Sequence, residues 1–145
     1  MQVVLQRVRE ATVTVAGEAV GAIGHGLVAL VGVGRRSTPA DAAWLAAKTE
    51  GLRIFADADG RMNRSVADVG GSVLAISQFT LYGDAARGRR PSFVEAAEPD
   101  QAEHLYQAYC DALTVPVAQG VFGAHMLIDL CADGPVTIRL ERASG

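Results

Sequence analysis

The sequence lacks the apolar segments that send proteins into membranes or through them. None of its apolar runs approaches the roughly 20 residues that a transmembrane helix needs. The first ten residues, MQVVLQRVRE, contain no long apolar stretch followed by a small-residue cleavage site. We therefore expect a soluble, cytoplasmic protein with no membrane partner.

Motifs for metals, nucleotides and activated serine are also missing. The three histidines, His25, His104 and His125, are scattered, with no HExxH pattern and no cluster of cysteine and histidine. Neither GxxxxGK[ST] nor GxGxxG after a strand occurs, and the GxSxG nucleophile elbow is absent. No metal and no cofactor are predicted.

Cysteine is scarce and the net charge is low. Cys110 and Cys131 lie far apart on apolar-patterned segments, so we interpret both as buried free thiols. The net charge is −3 and the pI about 5.5, so the surface as a whole does not attract nucleic acid, and DNA is not a predicted partner. A polyanion would need a local basic patch, of which the densest comprises Arg87, Arg89 and Arg90.

Two stretches predict helices that each bury one face. Thr38 and Pro39 are typical of an N-cap and a first helical residue, and Pro99 is typical of a second helix start. The predicted buried positions are Ala42, Leu45, Ala46 and Thr49 in the first helix, and Ala102, Leu105, Tyr106, Tyr109 and Leu113 in the second. Both helices are expected to cover a sheet.

Strands are predicted over much of the remaining chain. The β-branched alternation in VVLQRVREATVTV predicts a pair of strands, and residues 27–33, LVALVGV, predict a fully buried one. Two more strands, 122–130 and 136–140, are expected on either side of the turn CADGP. Because predicted strands follow one another in neighbouring pairs, the fold class is α+β, with a largely antiparallel sheet.

A further buried strand, in GGSVLAI, ends in the polar sequence SQFTL at residues 77–81 and is followed by the arginine-rich loop. Taken alone, Ser77, Gln78 and Thr80 are most simply a strand end whose side chains bond neighbouring backbone. The arginines are equally consistent with an ordinary solvated loop.

Five motifs in a fixed order nevertheless point to one family. LQRV, FADADGRMN, SQFTL with RGRRPSF, FGAHM and DGPVT together resemble the D-aminoacyl-tRNA deacylases over essentially the whole chain. Two positions depart from that family: Ala132 stands where Asn is common, and Leu52 where an aromatic residue often precedes RIF.

The resemblance implies an enzyme with one domain over residues 1–145, a barrel-like core and two main helices, which forms a homodimer. It would bind the acceptor end of an aminoacyl-tRNA and hydrolyse the ester between a D-amino acid and the terminal adenosine, without a metal. Glycine mischarged on tRNA would be accepted too, since an achiral substrate has no L side chain to reject.

The resemblance also assigns catalytic and pocket residues. Backbone N–H groups of Phe79 and Thr80 would stabilise the oxyanion, and the ribose hydroxyl of the substrate would assist. The Thr80 side chain is left open as a nucleophile, a water-positioning group or part of the wall, with covalent attack ranked below positioning for want of a base. Substrate would contact the residues Ser77, Gln78, Phe122 and Met126.

The resemblance assigns chiral selection and tRNA binding to other segments. Gly134 and Pro135, joined by a cis bond, would reach into the pocket of the partner subunit and exclude L side chains, with Arg7 steadying their loop. Arg87, Arg89 and Arg90 would bind phosphates of the acceptor stem without reading sequence.

Two alternative functions stay open. A non-catalytic dimeric RNA-binding module could carry the same basic loop, although the acidic composition and the lack of an exposed aromatic series for stacking disfavour it. A free-standing relative of the editing domain of archaeal threonyl-tRNA synthetases would share the fold, but SQFTL together with GPVT favours the deacylase.

Overall fold

A computed structural model describes residues 1–143, in which two α-helices pack on a six-stranded sheet with a small hairpin beside it. The strands are β1 (Gln2–Val15), β2 (Glu18–Ile23), β3 (Gly26–Gly32), β4 (Phe55–Ala56), β5 (Met62–Arg64), β6 (Ser72–Ser77), β7 (Val117–Gln119) and β8 (Leu127–Glu141). The helices are α1 (Pro39–Gly51), α2 (Pro99–Ala112) and a short 3₁₀ helix (Phe79–Tyr82).

The two predicted helices are confirmed, and a side-chain cap explains where α1 begins. The Thr38 hydroxyl accepts a hydrogen bond from the Asp41 N–H, and the Asp41 carboxylate accepts one from the Thr38 N–H, which forms a reciprocal cap at the start of α1. The predicted faces are buried, and Tyr109 of α2 shares a 2.9 Å hydrogen bond with Thr49 of α1. Within residues 1–143, no helix is both long and apolar enough to cross a membrane.

The predicted strand pair at the start of the chain is wrong, because residues 2–15 form the single strand β1. The chain reverses only at Ala16 and Gly17, whose φ angles of 50° and 83° are both positive. Such a turn matches the twist of a hairpin. Alternation alone could not distinguish one long strand from two short ones.

The sheet is mixed: three of its strand pairs are antiparallel, and two are parallel, which was not predicted. β1 pairs antiparallel with β2, β3 and β8, whereas β3 with β6 and β6 with β7 are parallel. Parallel neighbours need a long crossover connection. Here α1 with the β4–β5 hairpin provides one crossover, and the 3₁₀ helix, the arginine loop and α2 provide the other.

The predicted barrel-like core is confirmed, since the sheet is nearly closed into a barrel. A Cβ built on Gly21 of β2 would lie 2.5 Å from the carbonyl oxygen of Gln119 in β7, so glycine permits this close approach. The interior apolar cluster consists of Val8, Ala11, Val13, Val28, Leu74 and Ile76. A larger cluster fills the space between the sheet and the helices.

The prediction of two separate C-terminal strands is also wrong. Residues 122–126 are not a strand, and β8 continues along β1 as one strand. Ala132 is paired with Val8 and Thr137 with Gln6, so residues 133–136 bulge out opposite the single residue Arg7. The DGP sequence therefore makes a bulge rather than a reversal.

Both cysteines are free, but only Cys110 is buried. Burial raises the pKa of its thiol to about 11. Cys131 is exposed, which corrects the prediction for that residue. It lies on a part of β8 where Leu127 and Leu130 are exposed as well, so a single chain leaves this part of β8 uncovered.

Candidate active site

The end of β6 leaves two backbone donors available. β6 stops at Ser77, and the Gln78 N–H makes the last bond to β3, at 2.8 Å from the Val31 carbonyl oxygen. The chain then enters the 3₁₀ helix, whose first N–H groups have no acceptor within the helix. Within residues 1–143, the N–H groups of Phe79 and Thr80 have no hydrogen-bond acceptor.

These residues line a cavity of about 620 Å³. The cavity brings together all six predicted catalytic and pocket residues, which are Ser77, Gln78, Phe79, Thr80, Phe122 and Met126. A space of this size suits a small ligand such as a nucleoside with an attached amino acid. The end of β6, the 3₁₀ helix and the 122–126 segment thus meet at this cavity.

The Thr80 hydroxyl is held by a neighbour rather than by a base. The Gln78 side-chain amide donates to Thr80 Oγ1 at 2.8 Å. Within the described part of the chain, no histidine or carboxylate bonds this hydroxyl. A nucleophilic threonine needs such a base, so the geometry suits a group that positions water or substrate.

Packing behind the cavity holds Phe122 and Met126 in place. The Phe122 ring lies 6.3 Å from that of Tyr106, whose hydroxyl donates to the Ala75 carbonyl oxygen at 2.8 Å. Burial raises the pKa of Tyr106, so it remains a neutral donor at physiological pH. A Cβ on Gly120 would lie 2.5 Å from Met126 Sδ, so this glycine leaves the space that Met126 fills.

Sequence reasoning missed the other residues that line the cavity. These are Val33, Arg35, Ile76, Phe93, Ala96, Ala97, Glu98, Pro99, Ala102, Gly123, Ala124 and Ile128. Two of them, Arg35 and Glu98, form an exposed ion pair of 3.6 Å. Pro99 predicted the start of α2, but no local sequence pattern indicates which other element the start of a helix faces.

The histidines do not meet at the cavity. None of the three lines it, and His25 packs edge-on against Phe55 with 5.1 Å between ring centroids. Over residues 1–143, no group of three or more His, Cys, Asp or Glu side chains is arranged to hold a metal ion.

The arginine-rich segment is a closed loop beside the cavity. Asp84 and Ser92 exchange two backbone hydrogen bonds of 2.8 Å at its base. Arg87, Arg89 and Arg90 are exposed at its end, and none of them lines the cavity or forms an ion pair with another described residue. Their guanidinium groups are thus open to an anionic partner.

The Gly134–Pro135 segment lies away from the cavity of its own chain. Its peptide bond is cis, as the resemblance implied, and both residues are exposed. Arg7 contacts this bulge directly: its Nε is 3.2 Å from the Asp133 carbonyl oxygen and 3.5 Å from the Asp133 carboxylate. A second bond, from Arg7 Nη1 to the Ile54 carbonyl oxygen at 2.6 Å, fixes the guanidinium.

Comparison with known proteins places this geometry in a family. The family model described as D-Tyr-tRNA(Tyr) deacylase matches residues 4–141. The chain belongs to this family. A relative from Thermomicrobium roseum named D-aminoacyl-tRNA deacylase is 56% identical over 99% of this chain and 95% of its own length. Another relative of that name, from Chloroherpeton thalassium, is 54% identical over 97% of this chain and 95% of its own length.

Solved structures share the fold of this chain. The c-Myc DNA Unwinding Element Binding Protein superposes with a TM-score of 0.94 at 37% identity, covering 99% of this chain and all of that one. A probable eukaryotic D-amino acid tRNA deacylase superposes with a TM-score of 0.80 at 18% identity, covering 96% of this chain and 97% of that one, which shows a shared fold. The family model and the curated relatives confirm the predicted family and enzyme class, D-aminoacyl-tRNA deacylase.

Proposed function

We propose that the cavity beside the end of β6 hydrolyses the ester linking a D-amino acid, or glycine, to the terminal adenosine of tRNA. The observation that carries this proposal is the convergence of Phe79 and Thr80, with two unpaired backbone N–H groups, and the pocket residues in one cavity. Phe122 and Met126 would contact the adenosine, and Ser77 and Gln78 the aminoacyl part.

Hydrolysis of this ester requires little beyond correctly positioned hydrogen-bond donors and a water molecule. An aminoacyl ester is activated, so its hydrolysis requires a placed water and stabilisation of the negative charge that develops on the carbonyl oxygen. The N–H groups of Phe79 and Thr80 would supply that stabilisation. Since Thr80 Oγ1 already accepts a hydrogen bond from Gln78, its own proton is available to a water or to the substrate.

Chirality would be read by a second copy of the chain. Gly134 and Pro135 are exposed and absent from the cavity of their own chain, so they can act on a pocket only in a partner. A rigid backbone that faces the α-carbon would exclude an L side chain and admit hydrogen. Arg7 would hold the bulge in position through Asp133.

A homodimer would also bury apolar side chains that one chain leaves in water. The exposed fractions of the side chains concerned are 42% for Val20, 44% for Val121, 60% for Leu127 and 38% for Leu130. Together they are suited to an isologous contact with the same surface of a second copy. Because its substrate belongs to translation, the cytoplasm is the proposed location.

Deacylation of matched D- and L-aminoacyl-tRNA in EDTA tests the function. We expect the D-aminoacyl and glycyl esters to be hydrolysed and the L-aminoacyl ester to survive, with rates unchanged by EDTA, because no ligand cluster occurs in residues 1–143. Release of the amino acid is the measurement. Loss of turnover in EDTA with recovery on adding zinc, or equal hydrolysis of the L ester, would contradict the proposal.

The arginine loop should control affinity rather than chemistry. Replacing Arg87, Arg89 and Arg90 together by Gln should raise KM for D-aminoacyl-tRNA about tenfold and leave kcat nearly unchanged, because phosphate contacts position the substrate. The slope of log KM against log salt should fall by about two. Arg64→Gln, at an exposed arginine of β5 outside the cavity lining, is the matched control. An unchanged salt slope in the triple variant would exclude phosphate binding by this loop.

A further inference from the structure

Two exposed aromatic rings lie in contact on the lining of the cavity. The side chains of Phe79 and Phe93 are 56% and 38% exposed, and their ring centroids are 5.1 Å apart at an angle of 66°. Single exposed apolar residues are common on protein surfaces. A contacting pair that lines a cavity and is left in water is suited to a flat, apolar partner.

The arginine loop fixes this pair. Phe93 directly follows Ser92, whose two hydrogen bonds to Asp84 close the loop. On the other side of the loop, a Cβ built on Gly83 would be only 3.0 Å from Phe93 Cε1, so the ring packs against a backbone that carries no side chain. The pair therefore lies between the cavity and the loop that bears the arginines.

We propose that the Phe79–Phe93 pair is a stacking platform for the base of the nucleotide that precedes the terminal adenosine. This inference rests on the proposed function, in which the terminal nucleoside enters the cavity and phosphates reach Arg87, Arg89 and Arg90. A strand that runs from the cavity to the loop would pass the pair, because Phe93 lines the cavity and follows the base of the loop. A base stacks on aromatic rings through its face, and the adjacent guanidinium groups complement the phosphates of the same strand.

Substrates of increasing length locate the contact. D-aminoacyl esters of adenosine 5′-monophosphate and of the dinucleotide cytidylyl-adenosine differ by the nucleotide that the platform would hold. The ratio of their kcat/KM values, dinucleotide over mononucleotide, measures what that nucleotide contributes. Phe93→Leu should lower this ratio about tenfold relative to the wild type, because stacking is lost while apolar volume is largely kept. Phe93→Tyr should preserve the ratio. So should Val94→Ala, at an exposed neighbour that does not line the cavity.

A dinucleotide lacking the cytosine base tests the contact without changing the protein. With the wild-type enzyme, the abasic substrate should lose the same factor of about ten. Phe93→Leu and the abasic substrate combined should lose little more than either alone, because both remove one interaction.

Each result bears on a different claim. Two results would overturn the platform and leave the deacylase in place, provided that every D ester is hydrolysed. One is an undiminished kcat/KM ratio of dinucleotide over mononucleotide in Phe93→Leu. The other is a full addition of the losses when Phe93→Leu is combined with the abasic substrate. A wild-type protein that hydrolyses none of the D esters, full-length D-aminoacyl-tRNA included, would overturn both. The expected ratio together with a non-additive cycle supports the platform.

Discussion

Replacing the backbone N–H of Thr80 by an ester oxygen should lower kcat for deacylation about 100-fold or more, whereas Thr80→Ala should lower it only about tenfold. Removing one preorganised oxyanion donor typically costs about 10² to 10³ in rate. The hydroxyl contributes less in this account, since it accepts from Gln78 and contacts no base among residues 1–143. Single-turnover deacylation of D-aminoacyl-tRNA measures both effects.

The controls separate the donor from the helix that carries it. Thr80→Pro also deletes the N–H, but proline disfavours the helical conformation of the preceding Phe79, so the ester is the cleaner change. An ester at Leu81 removes an N–H that already bonds the Gln78 carbonyl oxygen at 3.3 Å, and it should have a much smaller effect on kcat. Near-complete inactivity of a folded Thr80→Ala protein, with a loss of about 10⁴-fold or more, would favour covalent attack by the hydroxyl.

Mixing two inactive variants should restore about a quarter of wild-type activity. Thr80→Pro damages the 3₁₀ helix that lines the cavity, and Gly134→Leu places a bulky side chain where the partner's pocket must be approached closely. If Gly134 serves the other subunit, a heterodimer has one site with an intact 3₁₀ helix and an intact glycine. Random exchange makes half of the dimers heterodimers with one good site of two, which gives about a quarter.

This experiment needs verified exchange and a control for backbone strain. Gly134 has φ +124°, and a Cβ there would lie 2.9 Å from Val136 Cγ2, so part of any effect is local. Gly60 has φ +80° with nothing within 4 Å of a Cβ, and the Gly60→Leu protein, assayed alone, should have activity near wild type. Heterodimers proved by mass that stay inactive would show that the pocket and its chiral filter lie within one subunit.

The elements that the sequence predicted well have local causes. Thr38 with Pro39 marks the start of α1, and the 3.6-residue spacing of apolar positions marks the buried face of each helix. The buried strand at 27–33 was predicted from a local pattern too, because an apolar run of that length suits a core strand. The errors came where a local pattern has two solutions: β1 is one strand rather than two, and the DGP sequence bulges instead of turning back.

By itself, the sequence determined the family, through motifs spread along the whole chain, and it named six candidate catalytic and pocket residues that line the cavity. Only the tertiary structure decided the rest of the cavity lining. β6 lies parallel to both β3 and β7, and this pairing brings Arg35, Phe93 and the start of α2 to the cavity that begins at the end of β6. Contacts between segments so far apart depend on which strands pair and how the crossovers pack. No short stretch of residues encodes that choice, because it results from the burial of the core as a whole.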